Sequence, residues 1–313
     1  MISAVVMDYA AVEAAVSPER AVDAVRDAFV AHARGEWSMP PKVYVTNYPA
    51  GDFRAMPALG GGHALLKWIT SFPGNPARGL PTVSGIVLVS DASTGELQAV
   101  LDAASVTALR TGAAAVLAAE TLGRADAASA TVIGAGVNGR AAARTFVARG
   151  RSVAVWDVDP ARAAQVASEL GCSVAASREE ALAADLVVTV TPGHEVVLAE
   201  GSLRPGQHVS LMGADGPGKA EVAGPELTRA RLFCDDWEQA SHGGELAHAV
   251  EAGLVAEKDV TAIGAVLAGT APGRASEDEI TMFDSTGLAI QDLAIALAAL
   301  DGADQAALPR LEL

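Results

Sequence analysis

The order of hydrophobic and polar positions divides the chain into two kinds of pattern. In the first hundred residues, short β-branched or alternating runs are separated by turns rich in Gly and Pro, and Ser17-Pro18 begins one amphipathic helix. This pattern predicts a mostly antiparallel sheet preceded by a helix. The predicted strands are residues 43–46, 53–57, 64–70, 82–89 and 97–101, and an Ala-rich helix over residues 103–122 follows them.

From residue 130 onward, apolar runs alternate with helical segments. Strands separated by helices predict a doubly wound parallel sheet, so the fold class is α/β with a separate sheet-rich α+β part. A last apolar helix over about residues 287–300 is predicted to return to the first part. The predicted domains are residues 1–118 with 287–313, and residues 119–286. The predicted parallel strands are residues 130–133, 152–156, 172–175, 186–190, 208–212 and 232–234.

A glycine-rich turn follows the first of these parallel strands. Gly134, Gly136 and Gly139 form a G-x-G-x-x-G sequence, and Asp157 ends the next strand 23 residues after Gly134. Such a turn predicts a dinucleotide site, with the pyrophosphate on the helix N-terminus and the acid on the ribose hydroxyls. The acid favours NAD over NADP, although Arg162 lies near it in sequence. The alternative is a tight strand-to-helix turn that holds no ligand.

Composition and charge narrow the possible partners. The chain has 313 residues and a net charge of −16, which argues against nucleic acid or an anionic membrane. The most apolar helix contains Arg110 and Glu120 and is too polar to span a bilayer. Cys172 and Cys234 lack the spacing of metal ligands. The N-terminal residues show no basic region followed by an apolar core, so we expect no signal peptide. We therefore expect a cytoplasmic protein with reduced thiols and no metal.

Three cations in the first domain are candidates for substrate chemistry. Lys67 lies between apolar residues of a predicted strand, and the twofold period places it on one face with Leu65 and Ile69. Desolvation would disfavour its charged form and suit it to proton transfer. The alternative is a lysine that faces or snorkels to solvent. Arg54 and Arg110 are further candidates, and surface salt bridges are their alternative.

Asp215 lies in a Gly-rich loop directly after the fifth parallel strand. The carboxyl ends of parallel strands face the cofactor crevice, so Asp215 is expected to meet a substrate beside the nicotinamide. An ordinary turn residue is the alternative.

Taken together, these residues resemble the ornithine cyclodeaminase/mu-crystallin family, and most of all its archaeal-type alanine dehydrogenase branch. The resemblance covers nearly the whole chain, and the segment 236–245 is similar to that branch in particular. The segments that carry it are Arg54-Ala55-Met56-Pro57-Ala58, Lys67, Asn75-Pro76 with Gly79-Leu80-Pro81-Thr82, Arg110-Thr111-Gly112-Ala113-Ala114, Gly134-Ala135-Gly136, Gly213-Ala214-Asp215 with Gly218-Lys219, and Phe283-Asp284-Ser285-Thr286-Gly287.

The resemblance implies an NAD-binding Rossmann domain and a substrate-binding and dimerisation domain. It implies that Lys67 handles the substrate carboxylate and moves a proton, that Asp215 is an acid/base, and that Arg110 lies near the nicotinamide and the cofactor phosphates. Arg110 is also a predicted substrate-binding residue, as is Arg54 by its charge. It also implies a homodimer. The implied cofactor-binding positions, including those of the glycine turn, are Thr82, Arg110, Thr111, Gly134, Gly136, Val137, Asn138, Gly139, Asp157, Thr191, Gly213, Ala214, Lys219 and Ser285.

One position separates the branches of this family. Cyclodeaminases carry a glutamate 13 residues before the lysine, where it holds the distal ammonium of a diamino acid, and this chain has Arg54 there. An arginine repels an ammonium but can pair with the carboxylate of a small substrate. Lys42 occupies a position where some members have a carboxylate-binding arginine, and its role stays open.

The predicted function is therefore NAD-dependent, reversible oxidative deamination of a small L-amino acid, alanine first, to a 2-oxo acid and ammonia. An ornithine cyclodeaminase or a ketimine or imine reductase of the same family is the first alternative. A non-catalytic NAD(P)H-binding protein of the mu-crystallin kind is the second.

Overall fold

The computed structural model describes residues 3–193, 195–216 and 218–312. The chain forms two compact units: the first unit is Met1–Arg110 with Leu288–Leu313, and the second unit is Thr111–Gly287. The boundary falls inside helix α3, Ala103–Leu122. The predicted division, between residues 118 and 119, lies in the same helix.

The first unit contains a seven-stranded sheet. Its order is β15-β1-β6-β5-β4-β3-β2, and its neighbours are antiparallel except β1 and β6, which are parallel. The strands are β1 (Ser3–Met7), β2 (Val43–Asn47), β3 (Gly51–Gly60), β4 (His63–Ser71), β5 (Val83–Asp91), β6 (Leu97–Asp102) and β15 (Arg310–Glu312). The sequence pattern predicted β2 to β6 but not β1 and β15, because runs of three to five residues near the chain ends carry little periodicity.

Three helices complete the first unit: α1 (Tyr9–Ala15), α2 (Pro18–Ala33) and α11 (Ala289–Gly302). The Ser17 side chain caps α2 by accepting from the Arg20 amide, as the sequence predicted. Helix α11 packs against α2, β3 and β4. It therefore covers one face of the sheet, and Leu65, Lys67 and Ile69 of β4, which point to this face, are buried.

The second unit contains an eight-stranded sheet in which every described pairing is parallel, which confirms the predicted doubly wound fold. Its order is β13-β12-β14-β11-β10-β7-β8-β9. The strands are β7 (Ser129–Ile133), β8 (Ser152–Trp156), β9 (Ser173–Val174), β10 (Leu186–Thr189), β11 (His208–Leu211), β12 (Arg231–Cys234), β13 (Val260–Ala262) and β14 (Thr281–Asp284).

The position of β14 corrects the sequence prediction. Residues 232–234 were expected to complete the sheet, but β14 lies between β11 and β12. Strands β9, β8, β7, β10, β11 and β14 then follow the order 3-2-1-4-5-6 of a Rossmann fold, and β12 and β13 extend its edge. Strand β14 was missed because it has four residues, all buried, and so shows no alternation.

Short helices fill the connections of the second unit. These helices are α4 (Val137–Ala148), α5 (Pro160–Leu170), α6 (Arg178–Leu182), α7 (Gly224–Leu227), α8 (Trp237–Gly243), α9 (Ala247–Glu251) and α10 (Ile263–Leu267).

In the described ranges, no helix is both long and apolar enough to cross a membrane, and this includes α3.

Candidate functional site

The glycine turn of the second unit has the geometry that its sequence predicted. Gly134 has φ of 105°, and a Cβ there would lie 2.7 Å from the carbonyl oxygen of Val190. A Cβ on Gly139 would lie 1.7 Å from the carbonyl oxygen of Gly134. Glycine is therefore required at both positions, at the first for backbone conformation and at the second for close packing of α4 on the turn.

Gly136 differs from these two glycines. It precedes the first residue of α4, and a Cβ on it would meet no described atom within 4 Å. Of the described side chains, none caps this helix. Packing does not explain glycine here, whereas close approach of an anion to the first N–H groups of α4 does. The turn, with Val137 and Asn138 as the first helical residues, fits a pyrophosphate.

Asp157 ties the glycine turn to the end of β8. Its Oδ2 accepts from the Ala135 amide at 2.7 Å, its Oδ1 accepts from the Asp159 amide at 2.8 Å, and Arg162 Nη1 lies 3.7 Å from Oδ1. A carboxylate offers about four acceptor positions, so these contacts leave capacity for ribose hydroxyls.

A buried glutamate joins the loops that follow β10 and β11. Glu221 accepts from the amide and hydroxyl of Thr191 at 2.8 and 2.7 Å, and from the Gly213 amide at 3.0 Å. The structure thus brings together Thr191 and Gly213, which were predicted separately. Sequence reasoning missed Glu221, because one acid in a polar loop resembles any surface residue.

The acid/base candidate of the second unit is part of an ion pair. The Asp215 carboxylate lies 2.5 Å from Lys219 Nζ, and their side chains are 37% and 26% exposed. Ala214 beside it is buried. Pro217, in the same loop, lies outside the described residues. The loop therefore holds a partly exposed carboxylate next to a cation, an arrangement that suits proton exchange at a site open to solvent.

The remaining candidates of the second unit are buried. Ser285 Oγ donates to Asp235 at 3.1 Å, and the Gly287 amide donates to the same carboxylate at 2.8 Å. Thr111 is buried within α3. Asp235 was not predicted as a site residue, and it fixes the segment that follows β14.

In the first unit, Lys67 is 1% exposed and shares the buried face of β4 with Leu65 and Ile69. Its Nζ lies 2.6 Å from Asp292 Oδ2 and 3.4 Å from Thr107 Oγ1. Lys67 therefore neither faces solvent nor snorkels to it, and the predicted face is confirmed.

Asp292 organises a buried cluster in this unit. It lies on α11 and is fully buried, with Lys67 on one oxygen and Arg110 Nε 3.7 Å from the other. These two ion pairs place two cations beside one carboxylate, so the Lys67–Asp292–Arg110 cluster has a net charge of +1 when Lys67 is protonated. Sequence reasoning missed Asp292, although an acid between Ile290 and Leu293 in an apolar helix is a signal of a buried charge.

The electrostatics of the cluster affect Lys67 directly. Burial lowers the pKa of Lys67 to about 8, against the opposing effect of the Asp292 carboxylate, while the positive charges of Arg110 and Lys42 lower it further. A lysine with this pKa populates both protonation states close to neutral pH, as a proton-transfer group requires.

Arg54 lies on the same face of the sheet as Lys67, because Met56 of β3 is the register partner of Lys67. Its Nε lies 2.6 Å from Asp52 Oδ1, both side chains are largely buried, and the guanidinium lies 5.4 Å from the centre of the Tyr44 ring. The alternative of a surface salt bridge is therefore wrong, since the pair is buried. Asp52 was not predicted.

The last two candidates of the first unit precede strands. Thr82 comes just before β5, is partly buried, and accepts through its carbonyl from the Phe72 amide at 2.8 Å. Lys42 comes just before β2 and is also partly buried.

A Rossmann sheet with this glycine turn defines the second unit as a dinucleotide-binding fold. More specifically, the chain belongs to the Ornithine cyclodeaminase/mu-crystallin family, whose family model matches residues 3–306. The predicted family is thereby confirmed.

Individual relatives are similar along at least nine tenths of their length. An alanine dehydrogenase of Archaeoglobus fulgidus is 42% identical over 294 residues, which are 91% of this chain and 90% of that protein. The solved structure of an archaeal alanine dehydrogenase dimer with bound NAD is 39% identical, with a TM-score of 0.94 and full coverage of both chains. That of the iminosuccinate reductase of Paracoccus denitrificans with NAD+ is 30% identical, with a TM-score of 0.91 and coverage of 99% and 100%.

Proposed function

We propose that the protein is an NAD-dependent dehydrogenase that converts a small L-amino acid, with L-alanine the first to test, and water to the 2-oxo acid and ammonia, reversibly. The observation that carries this proposal is the net charge of +1 on the Lys67–Asp292–Arg110 cluster. A buried unbalanced charge is unfavourable, and the carboxylate of an amino acid or 2-oxo acid balances it.

The cofactor is proposed to be NAD. The glycine turn and the uncapped start of α4 support a pyrophosphate site, and Asp157 supports contact with ribose hydroxyls rather than with a 2′-phosphate. Two solved relatives contain NAD or NAD+. When bound, NAD supplies the hydride acceptor for the substrate Cα. The residues proposed to hold it are Thr82, Arg110, Thr111, Gly134, Gly136, Val137, Asn138, Gly139, Asp157, Thr191, Gly213, Ala214, Lys219 and Ser285.

Lys67 and Asp215 are the proposed catalytic residues. Lys67 Nζ binds the substrate carboxylate or carbonyl oxygen and donates a proton, which its pKa near 8 makes feasible at neutral pH. Asp215 exchanges protons with water or the amine through a partly exposed carboxylate. Arg54 and Arg110 are proposed to orient the substrate carboxylate by charge.

An imine reductase or cyclodeaminase is the second candidate function, and one contact favours it. Asp52 pairs with Arg54, so the charge that would repel a distal ammonium is partly neutralised, and a carboxylate lies beside it. Relatives at 30 to 35% identity are an iminosuccinate reductase, a Δ1-pyrroline-2-carboxylate reductase and an ornithine cyclodeaminase.

The test is a substrate panel on the purified protein. NADH oxidation is followed with pyruvate plus ammonium, with other 2-oxo acids plus ammonium, and with iminosuccinate and cyclic ketimines. NAD reduction is followed with L-alanine. With L-ornithine and NAD the formation of proline and ammonia is measured directly, because that conversion causes no net reduction of NAD. Turnover of alanine and pyruvate is expected. Faster turnover of an imine, or conversion of ornithine to proline, replaces the first candidate with the second. NADH binding without any turnover makes the protein a non-catalytic NADH-binding protein.

The protein is further proposed to be a homodimer that uses the sheet of the first unit. The face of this sheet opposite Lys67 carries large apolar side chains that are 37 to 56% exposed. An exposed apolar surface of this kind marks an interaction site, and twofold dimers are the commonest oligomers. A monomer mass in light scattering at micromolar concentration would contradict this. The exposed residues are Val43, Val45, Leu59, Leu66, Trp68 and Ile86.

A further inference from the structure

Glu221 is a fully buried carboxylate in the second unit that accepts four hydrogen bonds. Its Oε1 accepts from the Thr191 amide and hydroxyl at 2.8 and 2.7 Å, and its Oε2 accepts from the Thr189 hydroxyl at 2.8 Å and the Gly213 amide at 3.0 Å. The donors come from the end of β10, from the loop after it, and from the loop after β11. One side chain therefore ties these two loops together.

The donor set requires a carboxyl group and does not suit a carboxamide. An amide N–H can only donate, and one amide points at each oxygen of Glu221, so both oxygens must accept. A glutamine of the same size would direct its own NH₂ group at the amide of either Thr191 or Gly213, whichever way it is turned. Burial is the largest influence and raises the pKa of Glu221 above its ordinary value, while the four hydrogen bonds offset part of this rise.

The glycine at position 213 is explained by the same contact. A Cβ on Gly213 would lie 2.5 Å from both Cδ and Oε2 of Glu221, closer than non-bonded atoms approach. Residue 213 therefore has to be glycine for Glu221 to reach its amide. The glycine of this loop and the glutamate eight residues later form one structural feature.

The backbone of Glu221 is itself held on both sides. Its carbonyl accepts from the amides of Val197 and Leu198 at 2.7 and 2.9 Å, and its amide donates to the buried carboxylate of Glu245 at 2.9 Å. Glu245 also accepts from the Val222 amide at 2.7 Å. The carboxylate of Glu221 is thus fixed before any ligand binds, as preorganisation of a site requires.

We propose that Glu221 is a positioning residue. Its carboxylate sets the placement of the loop that carries Thr191 relative to the loop that carries Gly213 and Lys219. In this way it determines cofactor affinity and turnover without touching the cofactor or the substrate. This inference rests on the proposed function, because the same two loops hold four of the proposed cofactor contacts, Thr191, Gly213, Ala214 and Lys219, and the proposed acid/base Asp215.

The test compares two isosteric substitutions, Glu221→Gln and Glu226→Gln. Glu226 is the control, since it is also fully buried in the second unit and also accepts two backbone amides, those of Gly201 and Leu203, at 2.6 and 2.9 Å. It pairs in addition with Arg229 at 2.7 Å, so its loss tests a buried carboxylate with at least as many partners. Both variants are expected to lower the melting temperature. Glu221→Gln should in addition raise the Kd for NADH, measured by titration calorimetry, at least about tenfold, while Glu226→Gln changes it less than about threefold.

Amide hydrogen exchange supplies a readout that is independent of turnover. Exchange at Thr191 and Gly213 should accelerate in Glu221→Gln and stay at the wild-type rate in Glu226→Gln. If Glu221→Gln does not fold, Thr189→Val, which removes one of the four donors, should give the same changes at smaller size. Equal NADH affinities and equal exchange rates in the two glutamine variants overturn the inference.

The same measurements separate this inference from the proposed function. A wild type that binds NADH but turns over no amino acid, 2-oxo acid or imine contradicts the proposed function, while a selective loss of NADH affinity in Glu221→Gln still supports the positioning role. A wild type that does not bind NADH overturns both.

Discussion

Two fully buried carboxylates, Asp292 in the first unit and Glu221 in the second, have partners of opposite kinds. Asp292 in the first unit has two cations, Lys67 and Arg110, as its ion-pair partners. Glu221 in the second unit receives four neutral donors from amides and hydroxyls. The Lys67–Asp292–Arg110 cluster keeps an excess of positive charge, which an anionic substrate can balance. The Glu221 contacts have no cation to share, and their effect is to fix geometry.

This difference predicts how sensitive each region is to substitution. Breaking a buried ion pair leaves an uncompensated charge and costs about 3–5 kcal/mol, whereas leaving one buried amide or hydroxyl without its hydrogen-bond partner costs about 1–3 kcal/mol. Substitutions in the Lys67–Asp292–Arg110 cluster should therefore affect substrate chemistry most, and those around the cofactor-binding loops should affect cofactor affinity and selectivity.

The largest effect is expected from Lys67→Ala. This change removes the proposed contact to the substrate carboxylate or carbonyl together with a proton donor, so kcat for pyruvate amination should fall at least about 10²-fold. The Kd for NADH should stay near the wild-type value, because Lys67 belongs to the first unit and not to the glycine turn.

Steady-state kinetics and NADH titration on the same preparation measure both quantities. Lys258→Ala, which removes an exposed lysine of the second unit, is the control and should leave both unchanged. A near-normal kcat in Lys67→Ala would show that Lys67 is a structural partner of Asp292 and nothing more.

The next effect concerns the choice of substrate. Arg54→Glu replaces a cation by an anion, which repels the substrate carboxylate, and it leaves Asp52 without its ion-pair partner. We therefore expect kcat/KM for pyruvate or alanine to fall roughly 30-fold. In Arg54→Leu the positive charge is lost but not reversed, so kcat/KM should fall less than in Arg54→Glu. The Arg54→Glu variant should tolerate ornithine better than the wild type does, but it should not become an efficient cyclodeaminase, because the rest of the pocket is unchanged.

The measurement is a comparison of alanine and ornithine for wild type and both variants. Conversion of ornithine to proline by the wild type, with no activity on alanine, would mean that the Asp52–Arg54 pair already accommodates a distal ammonium. The proposed dehydrogenase function would then give way to the cyclodeaminase.

Asp292→Asn should act through the pKa of Lys67. Burial lowers this pKa to about 8 in the wild type even though Asp292 opposes the shift, so loss of the carboxylate should lower it further. The limb of the pH–rate profile that reports Lys67 should therefore move to lower pH, and kcat near neutral pH should fall about tenfold. Asp301→Asn removes an exposed carboxylate from the same helix and should not move the profile. If this limb of the pH–rate profile does not shift in Asp292→Asn, it reports the titration of a group other than Lys67.

The two regions also differ in how far the sequence predicts them. The glycine turn could be predicted because its chemistry is local: Gly134, Gly139 and Asp157 follow one another at a spacing that the strand–turn–helix unit imposes. Lys67 could be predicted because a charge in an apolar run is itself unusual. The relatedness of the chain to a known family then supplied candidates, such as Thr191 and Ser285, that no local pattern marks.

The partners of these residues could not be predicted, because separation in sequence does not decide which side chains meet: Asp52 lies two residues from Arg54 and Glu221 eight residues from Gly213, whereas Asp292 is distant from Lys67. Asp292 meets Lys67 across 225 positions (292 minus 67), and Glu221 joins two loops that precede it. Which carboxylate is buried depends on tertiary packing, and a single sequence carries no signal for that pairing. For the same reason β14, which is four residues long and fully buried, was missed, and its insertion beside β11 became visible only in the fold.

The smallest effect is expected at the ribose side of the second unit. Asp157→Asn keeps one acceptor oxygen for the Ala135 amide but removes the negative charge, so NADP should be excluded less strongly. The ratio of kcat/KM for NAD to that for NADP should fall about fivefold, equivalent to about 1 kcal/mol. Asp159→Asn is the matched control, because it removes the same charge two residues away, from a half-exposed carboxylate that also lies near Arg162. A fall of equal size in both variants would assign the preference to the general charge around Arg162 rather than to a contact of Asp157 with the ribose. A wild type that prefers NADP would show that Arg162, 3.7 Å from Asp157, governs this position instead.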